Sequence, residues 1–201
     1  MQLIIAALII FKGSVIMGIG YKLFAVNKKH KGELFPLYVN ANENTPINKW
    51  VEAKCGEMKD GKVKSKLGLL AYRPAWHLSD LPIAKHMGIK DDNGKIKYMR
   101  PDVVWCECEY SDTINYQEEA NHNGMIKGKL VPKLAYLNYI PVNGFYKYKT
   151  NPNMFGEWIL AGEIKVNKVM TDEEVNQILV DKGITPMERY GGEMKLCEYG
   201  F

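Results

Sequence analysis

The chain has 201 residues, with 27 Lys and Arg against 23 Asp and Glu, a net charge of +4 and 46% hydrophobic residues. That length and composition suit one globular domain with its own core, and they exclude a disordered chain, a fibrous repeat and a disulfide-stapled mini-protein. So mild a basic excess permits an acidic partner such as nucleic acid without demanding one.

Residues 3–11 (LIIAALIIF) are apolar throughout, but crossing a bilayer takes about 20 such residues. No Lys or Arg precedes the run and no small-x-small cleavage site follows it, so a signal peptide is not indicated. Residues 1–16 are expected to lie upstream of a true start at Met17, because Lys12-Gly13-Ser14 can be encoded as a ribosome-binding sequence. A docked apolar N-terminal segment is the alternative. High Lys, Asn and Ile usage suits an AT-rich bacterial or phage genome. The expectation is a phage- or prophage-encoded protein, cytoplasmic in the host cell and without a membrane partner.

Residues 20–26 (GYKLFAV) read as a strand, and 27–32 (NKKHKG) as a charged turn. A second strand follows over 33–39, interrupted by Pro36 and so placed at an edge. Residues 45–53 form a short helix or an extended arm, with Thr45 before Pro46 as a cap. Asp60-Gly61 marks a turn, and a short helix is expected after Ser79 or Asp80, running through His86. Asp91-Asp92-Asn93-Gly94 is a hairpin turn; it resembles half of a calcium loop but lacks the completing glutamate. Residues 103–110 (VVWCECEY) alternate, so Val104, Cys106, Cys108 and Tyr110 face the core while Trp105, Glu107 and Glu109 share the other face. Residues 111–133 are polar and loop-like. Residues 158–169 (WILAGEIKVNKV) form a strand with a bulge or close approach at Gly162. Thr171 and Glu174 then make a capping box, Met170 staples to Val175, and Gly183 stops the helix. The expected fold is α+β: a single domain over 17–187, mainly an antiparallel twisted sheet with a few short helices and a capped C-terminal helix. The Gly- and Tyr-rich tail 188–201 is expected to be loose.

Three groups of residues could carry chemistry. Arg73, Trp76, His77, Asp80 and His86 crowd one short segment. There His77 could act as a base near neutral pH, oriented by Asp80. Arg73 could grip a phosphate while Trp76 stacks on a base; scaffolding roles serve these residues equally well. Glu107 and Glu109, two apart on one strand face, could bind a metal as in a hydrolase, although a solvated face explains them more simply. No Cys pair has zinc-site spacing, and no phosphate-binding, zinc-protease or nucleic-acid motif is present. Glu157, at the mouth of the last strand after a loop rich in Pro, Asn and Gly, is the third candidate.

Glu157-Trp158-Ile159 resembles the ADP-ribosyltransferase superfamily, in which a catalytic glutamate opens a late strand. That resemblance, together with the strand order, implies an NAD- or nucleotide-binding protein acting on a host target. Glu157 would stabilise the positive charge that develops as nicotinamide leaves, with His77 as its catalytic partner. Tyr21, Arg73, Trp76 and Asp80 would bind the NAD cofactor. The match is incomplete: Tyr21-Lys22-Leu23-Phe24 lacks the family's early Arg or His, and Tyr72–His77 lacks its Ser-containing strand. The competing expectation is a non-enzymatic phage accessory protein that binds a host or phage protein, or nucleic acid, through Tyr- and Lys-bearing surfaces.

Overall fold

A computed structural model describes residues 17–201; the expectations for residues 1–16 lie outside them. In chain order the strands are β1 (Met17–Asn27), β2 (His30–Pro36), β3 (Trp50–Glu52), β4 (Met58–Lys59), β5 (Lys62–Ser65), β6 (Gly68–Ala71), β7 (Trp76–Ser79), β8 (Ile89–Lys90), β9 (Ile96–Lys97), β10 (Val103–Ser111), β11 (Ile114–Asn115), β12 (Met125–Ile126), β13 (Lys129–Leu130), β14 (Gly144–Tyr148), β15 (Trp158–Ala161) and β16 (Glu163–Val169). Among the described residues the α-helices are α1 (Gln117–Asn123) and α2 (Asp172–Asp181), and three short 3-10 helices lie at Lys85–Met87, Pro132–Leu134 and Leu196–Tyr199, the first being all that forms of the helix expected after Ser79 or Asp80. Nine strands form one sheet in the order β11-β14-β15-β7-β1-β10-β16-β3, with β2 also paired to β1. Every pairing in it is antiparallel except β11 with β14. The result is a sheet-rich α+β domain, with no closed barrel among the described residues.

The expected strand over 158–169 is two strands. At Gly162 a Cβ would lie 1.9 Å from the Pro141 carbonyl oxygen, so only glycine lets the backbones approach this closely. The chain bends there, and β15 joins β14 and β7 while β16 joins β10 and β3. One continuous segment thus serves two distant positions, and the sheet curls around its inner face.

That inner face carries the main core. Phe24 and Val26 from β1, Leu78 from β7, Cys106, Cys108 and Tyr110 from β10, and Ile164 and Val166 from β16 are buried together. The alternation of β10 accounts for its share. On the outer face Trp105 is buried as well, because α2 lays Val175 and Leu179 over it beside Met170. Helix α2 begins as its sequence dictates: the Thr171 side chain accepts from the Glu174 N–H, and the Glu174 carboxylate accepts from the Thr171 N–H. Gly183 follows with φ +69°.

Several local expectations are corrected. Of the two readings for residues 45–53 the helix fails and the extended arm holds, with a bridge from Ile47 to Val166 and the short strand β3. The segment 111–133 contains β11, α1, β12 and β13. The tail is anchored: Arg189 grips Asp172 through two hydrogen bonds at 2.6 and 2.7 Å and also donates to the carbonyls of Arg100 and Val103. Met194, Leu196, Tyr199 and Phe201 pack on the main core. Among the described residues no helix is long and apolar enough to cross a membrane.

Candidate functional site

Strand β1 pairs with β10 along nine residues on one side, Met17 to Ala25. Its other side is shared. Tyr21 pairs with Ser79 of β7, and pairing with β2 begins only at Phe24 opposite Pro36. Between them, at Lys22 and Leu23, no strand among the described residues pairs with that side of β1. Pro36 has no N–H to continue β2, and β7 starts only after Arg73-Pro74-Ala75. The chain therefore leaves β1 in two directions, and the segments around 37–45 and 70–75 wall a cavity of about 630 Å³. Its volume falls within the range of small-molecule sites, roughly 300–1,000 Å³.

Aromatic side chains dominate the walls: Tyr38, Tyr72, Trp76, Trp105, Tyr148 and Trp158 all line the cavity. Many are held by second contacts. Trp76 donates its indole N–H to the Val51 carbonyl at 2.8 Å. Trp158 lies edge-on to His86, with ring centres 5.9 Å apart. The Trp158 indole N–H is buried without a partner among the described residues. The Arg73 guanidinium stacks 4.2 Å from the Tyr148 ring centre and donates to the carbonyls of Ala135 at 3.1 Å and Lys133 at 2.7 Å. These bonds occupy two of its five N–H groups. Arg73 thus ties the wall to the 132–135 turn.

Lys22 is the unexpected member. It shares the inner face of β1 with Phe24 and pairs across the sheet with Cys106. Its Nζ donates to the His77 carbonyl at 3.1 Å and sits 5.5 Å from the Phe24 ring centre and 5.2 Å from that of Trp76. Burial disfavours the ammonium and pulls its pKa from 10.5 down to about 8. Among the described residues no carboxylate forms an ion pair with it. Two acids line the cavity, Glu43 and Glu52, and Glu43 is bound to Lys54 at 2.9 Å.

Four of the expected site residues come together: Tyr21, Arg73, Trp76 and His77 all line the cavity. His86 lines it too, with burial lowering its pKa. His77 does not have the expected chemistry. Burial, then the Lys22 charge, pushes its pKa down to about 4, so it is a neutral imidazole at pH 7 and a weak base. Its Nδ1 lies 3.3 Å from the Ala75 carbonyl oxygen, and Asp80 does not orient it.

Asp80 and Glu157 stand apart from the cavity lining. The register that pairs Trp158 with Ser79 puts Glu157 opposite Asp80, three residues along β7 from His77. Asp80 Oδ1 accepts the Glu157 N–H at 2.7 Å, and the Glu157 carbonyl accepts the Asp80 N–H at 3.1 Å. Asp80 thus closes the β7–β15 end. Glu109 pairs with Lys165 and accepts from Asn167, and no cluster of three potential metal ligands occurs among the described residues.

Among the cavity residues that the sequence did not assign to a site are Lys22, Tyr38 and Tyr148. Lys22 had a readable signal: Gly20, Lys22, Phe24 and Val26 alternate on one face, and two of them are plainly core residues. Neither a family model nor a curated protein nor a solved structure matches the chain.

Proposed function

We propose that this protein binds a planar, anionic small molecule of nucleotide size, NAD or a mononucleotide, in the cavity beside β1. The observation that carries this reading is that Lys22 and Arg73, both lining the cavity and both set against aromatic rings, form no ion pair with a carboxylate among the described residues. A heterocyclic ring gains roughly 1–3 kcal/mol by stacking on an aromatic side chain. A phosphate or carboxylate takes the donors that Arg73 and Lys22 have left, and such charge-assisted bonds are about twice as strong as neutral ones. An anion also relieves the desolvation that lowers the Lys22 pKa, so binding and protonation of Lys22 favour each other.

Bond cleavage forms no part of the proposal, because Glu157 does not line the cavity. The test is a titration with NAD followed by intrinsic fluorescence. Three of the four tryptophans, Trp76, Trp105 and Trp158, line the cavity, so occupancy quenches or shifts the emission in a saturable way. Emission that stays unchanged up to millimolar NAD and AMP defeats the reading.

A further inference from the structure

Lys22 has a property that charge recognition alone does not use. The lysines at the surface commonly sit against carboxylates: Lys28 on Glu198, Lys54 on Glu43, Lys64 on Glu57, Lys95 and Lys97 on Glu188, and Lys168 on Glu174. Lys22 instead has one neutral acceptor, the His77 carbonyl, and the faces of Phe24 and Trp76. An amine needs an accessible lone pair to act as a nucleophile, and a carboxylate partner would hold it protonated. Here a single N–H can keep the bond to His77 while the lone pair addresses the cavity that Lys22 lines.

We propose that Lys22 is a covalent attachment point, forming an imine with a conjugated aldehyde or ketone taken into the cavity; this rests on the reading that the cavity accepts planar anionic molecules. The Lys22 nitrogen attacks the carbonyl carbon as the C=O π bond opens onto oxygen. One proton passes from nitrogen to that oxygen, giving a carbinolamine. The hydroxyl group then leaves with a second proton as water while C=N forms, so an amine and a carbonyl become an imine and one water, without oxidation or reduction.

Other features of the site support this step. The aromatic side chains around Lys22 offer ring faces for a conjugated carbonyl compound to stack on. The neutral imine becomes a cation again by taking one proton from water, and in that form it keeps the attraction of the Phe24 and Trp76 ring faces. The cavity, of about 630 Å³, has the volume for a ring conjugated to the carbonyl, and Arg73 lines it together with Lys22 to meet an anionic group. Burial leaves Lys22 with a pKa of about 8. At pH 7.5 about a quarter of such amines are unprotonated, against roughly one in a thousand for an ordinary lysine.

Pyridoxal 5′-phosphate is a suitable probe, being a planar, anionic aromatic aldehyde. Wild-type protein is mixed with an equimolar amount at pH 7.5, reduced with borohydride and digested, and the pyridoxyl label is located by mass spectrometry. The expected result is labelling of Lys22 about tenfold or more above any surface lysine, given the difference in free amine. Label spread over exposed lysines with Lys22 unmodified overturns the proposal. Pyridoxine 5′-phosphate, which lacks the carbonyl, is titrated in parallel by tryptophan fluorescence. If it binds while Lys22 escapes labelling, the covalent step is wrong and the binding reading stands; if it does not bind and Lys22 is unlabelled, both fall.

Discussion

Replacing Lys22 by Met exposes a conflict between charge and burial. In the native protein the Lys22 pKa is lowered from 10.5 to about 8 because burial disfavours the ammonium. Each tenfold change in an ionisation constant is worth roughly 1.4 kcal/mol, so the charged amine costs the fold at most about 3 kcal/mol at neutral pH. The substitution also loses the hydrogen bond to His77 and the approach to two rings, each worth roughly 0.5–1 kcal/mol. Lys22→Met, similar in length and fully apolar, is therefore expected to stabilise the protein by about 1–2 kcal/mol at pH 7. The sign of the pH dependence follows from proton binding. Between about pH 8 and pH 10.5 the unfolded wild-type chain holds a proton on Lys22 that the native state has released, so wild-type stability rises with pH across that window. The advantage of the Met variant is thus full below pH 8 and is lost by pH 10.5. The titratable groups facing Lys22 are the thiols of Cys106 and Cys108 on β10 and His77 on β7. Both thiols are pushed up by burial; they remain in both proteins and largely cancel in the difference. Urea unfolding of the two proteins from pH 7 to pH 10 measures it. A variant less stable than wild type at pH 7, or a stability difference that does not change with pH, refutes the reasoning.

Other outcomes follow from single contacts. Arg189→Met removes a guanidinium whose side chain is 5% exposed and leaves Asp172, 18% exposed, without its partner. Breaking such a pair costs roughly 3–5 kcal/mol, and limited proteolysis should then cut within residues 188–201; an unaltered urea midpoint would show that the tail is not anchored this way. Gly162→Ala places a methyl group against the Pro141 carbonyl, 1.9 Å away. It should cost about 3 kcal/mol or more by separating β15 and β16 from their neighbours, as measured by thermal unfolding. Glu157→Gln should leave nucleotide affinity within about twofold of wild type, a difference under roughly 0.5 kcal/mol. A tenfold loss in calorimetry would return Glu157 to the binding site.

What could be read in the sequence was local. Thr171 and Glu174 are three residues apart and cap α2 wherever the helix packs, and Gly183 stops it by its own backbone freedom. The alternation of β10 assigned Val104, Cys106, Cys108 and Tyr110 to the core because a strand has only two faces. Trp105 escaped that logic, since its burial depends on a helix about 70 residues later in the chain. Gly162 was legible as a close approach, yet not as the point where one strand is divided between two parts of the sheet; that depends on Pro141, which sequence spacing does not bring near. Tyr21, Arg73, Trp76 and His77 were found together because three of them are nearly adjacent and all are chemically conspicuous. Asp80 and Glu157 had the right residue types, but strand register, which is not written locally, set them against each other. Lys22 was passed over because a lysine in a strand reads as a solvent-facing position. The tail was judged by its glycines, whereas Arg189 and four apolar side chains hold it in place.

The central claim is that the cavity beside β1 takes a ring with its anionic group among the aromatic walls, Lys22 and Arg73. Calorimetry with AMP and with adenosine under identical conditions tests it most directly, because the two differ only in the phosphate. Saturable binding is predicted for AMP, with adenosine weaker by about tenfold or more, the equivalent of roughly 1.4 kcal/mol for the lost anion contacts. Equal affinities, or no heat from either at millimolar concentration, would contradict it.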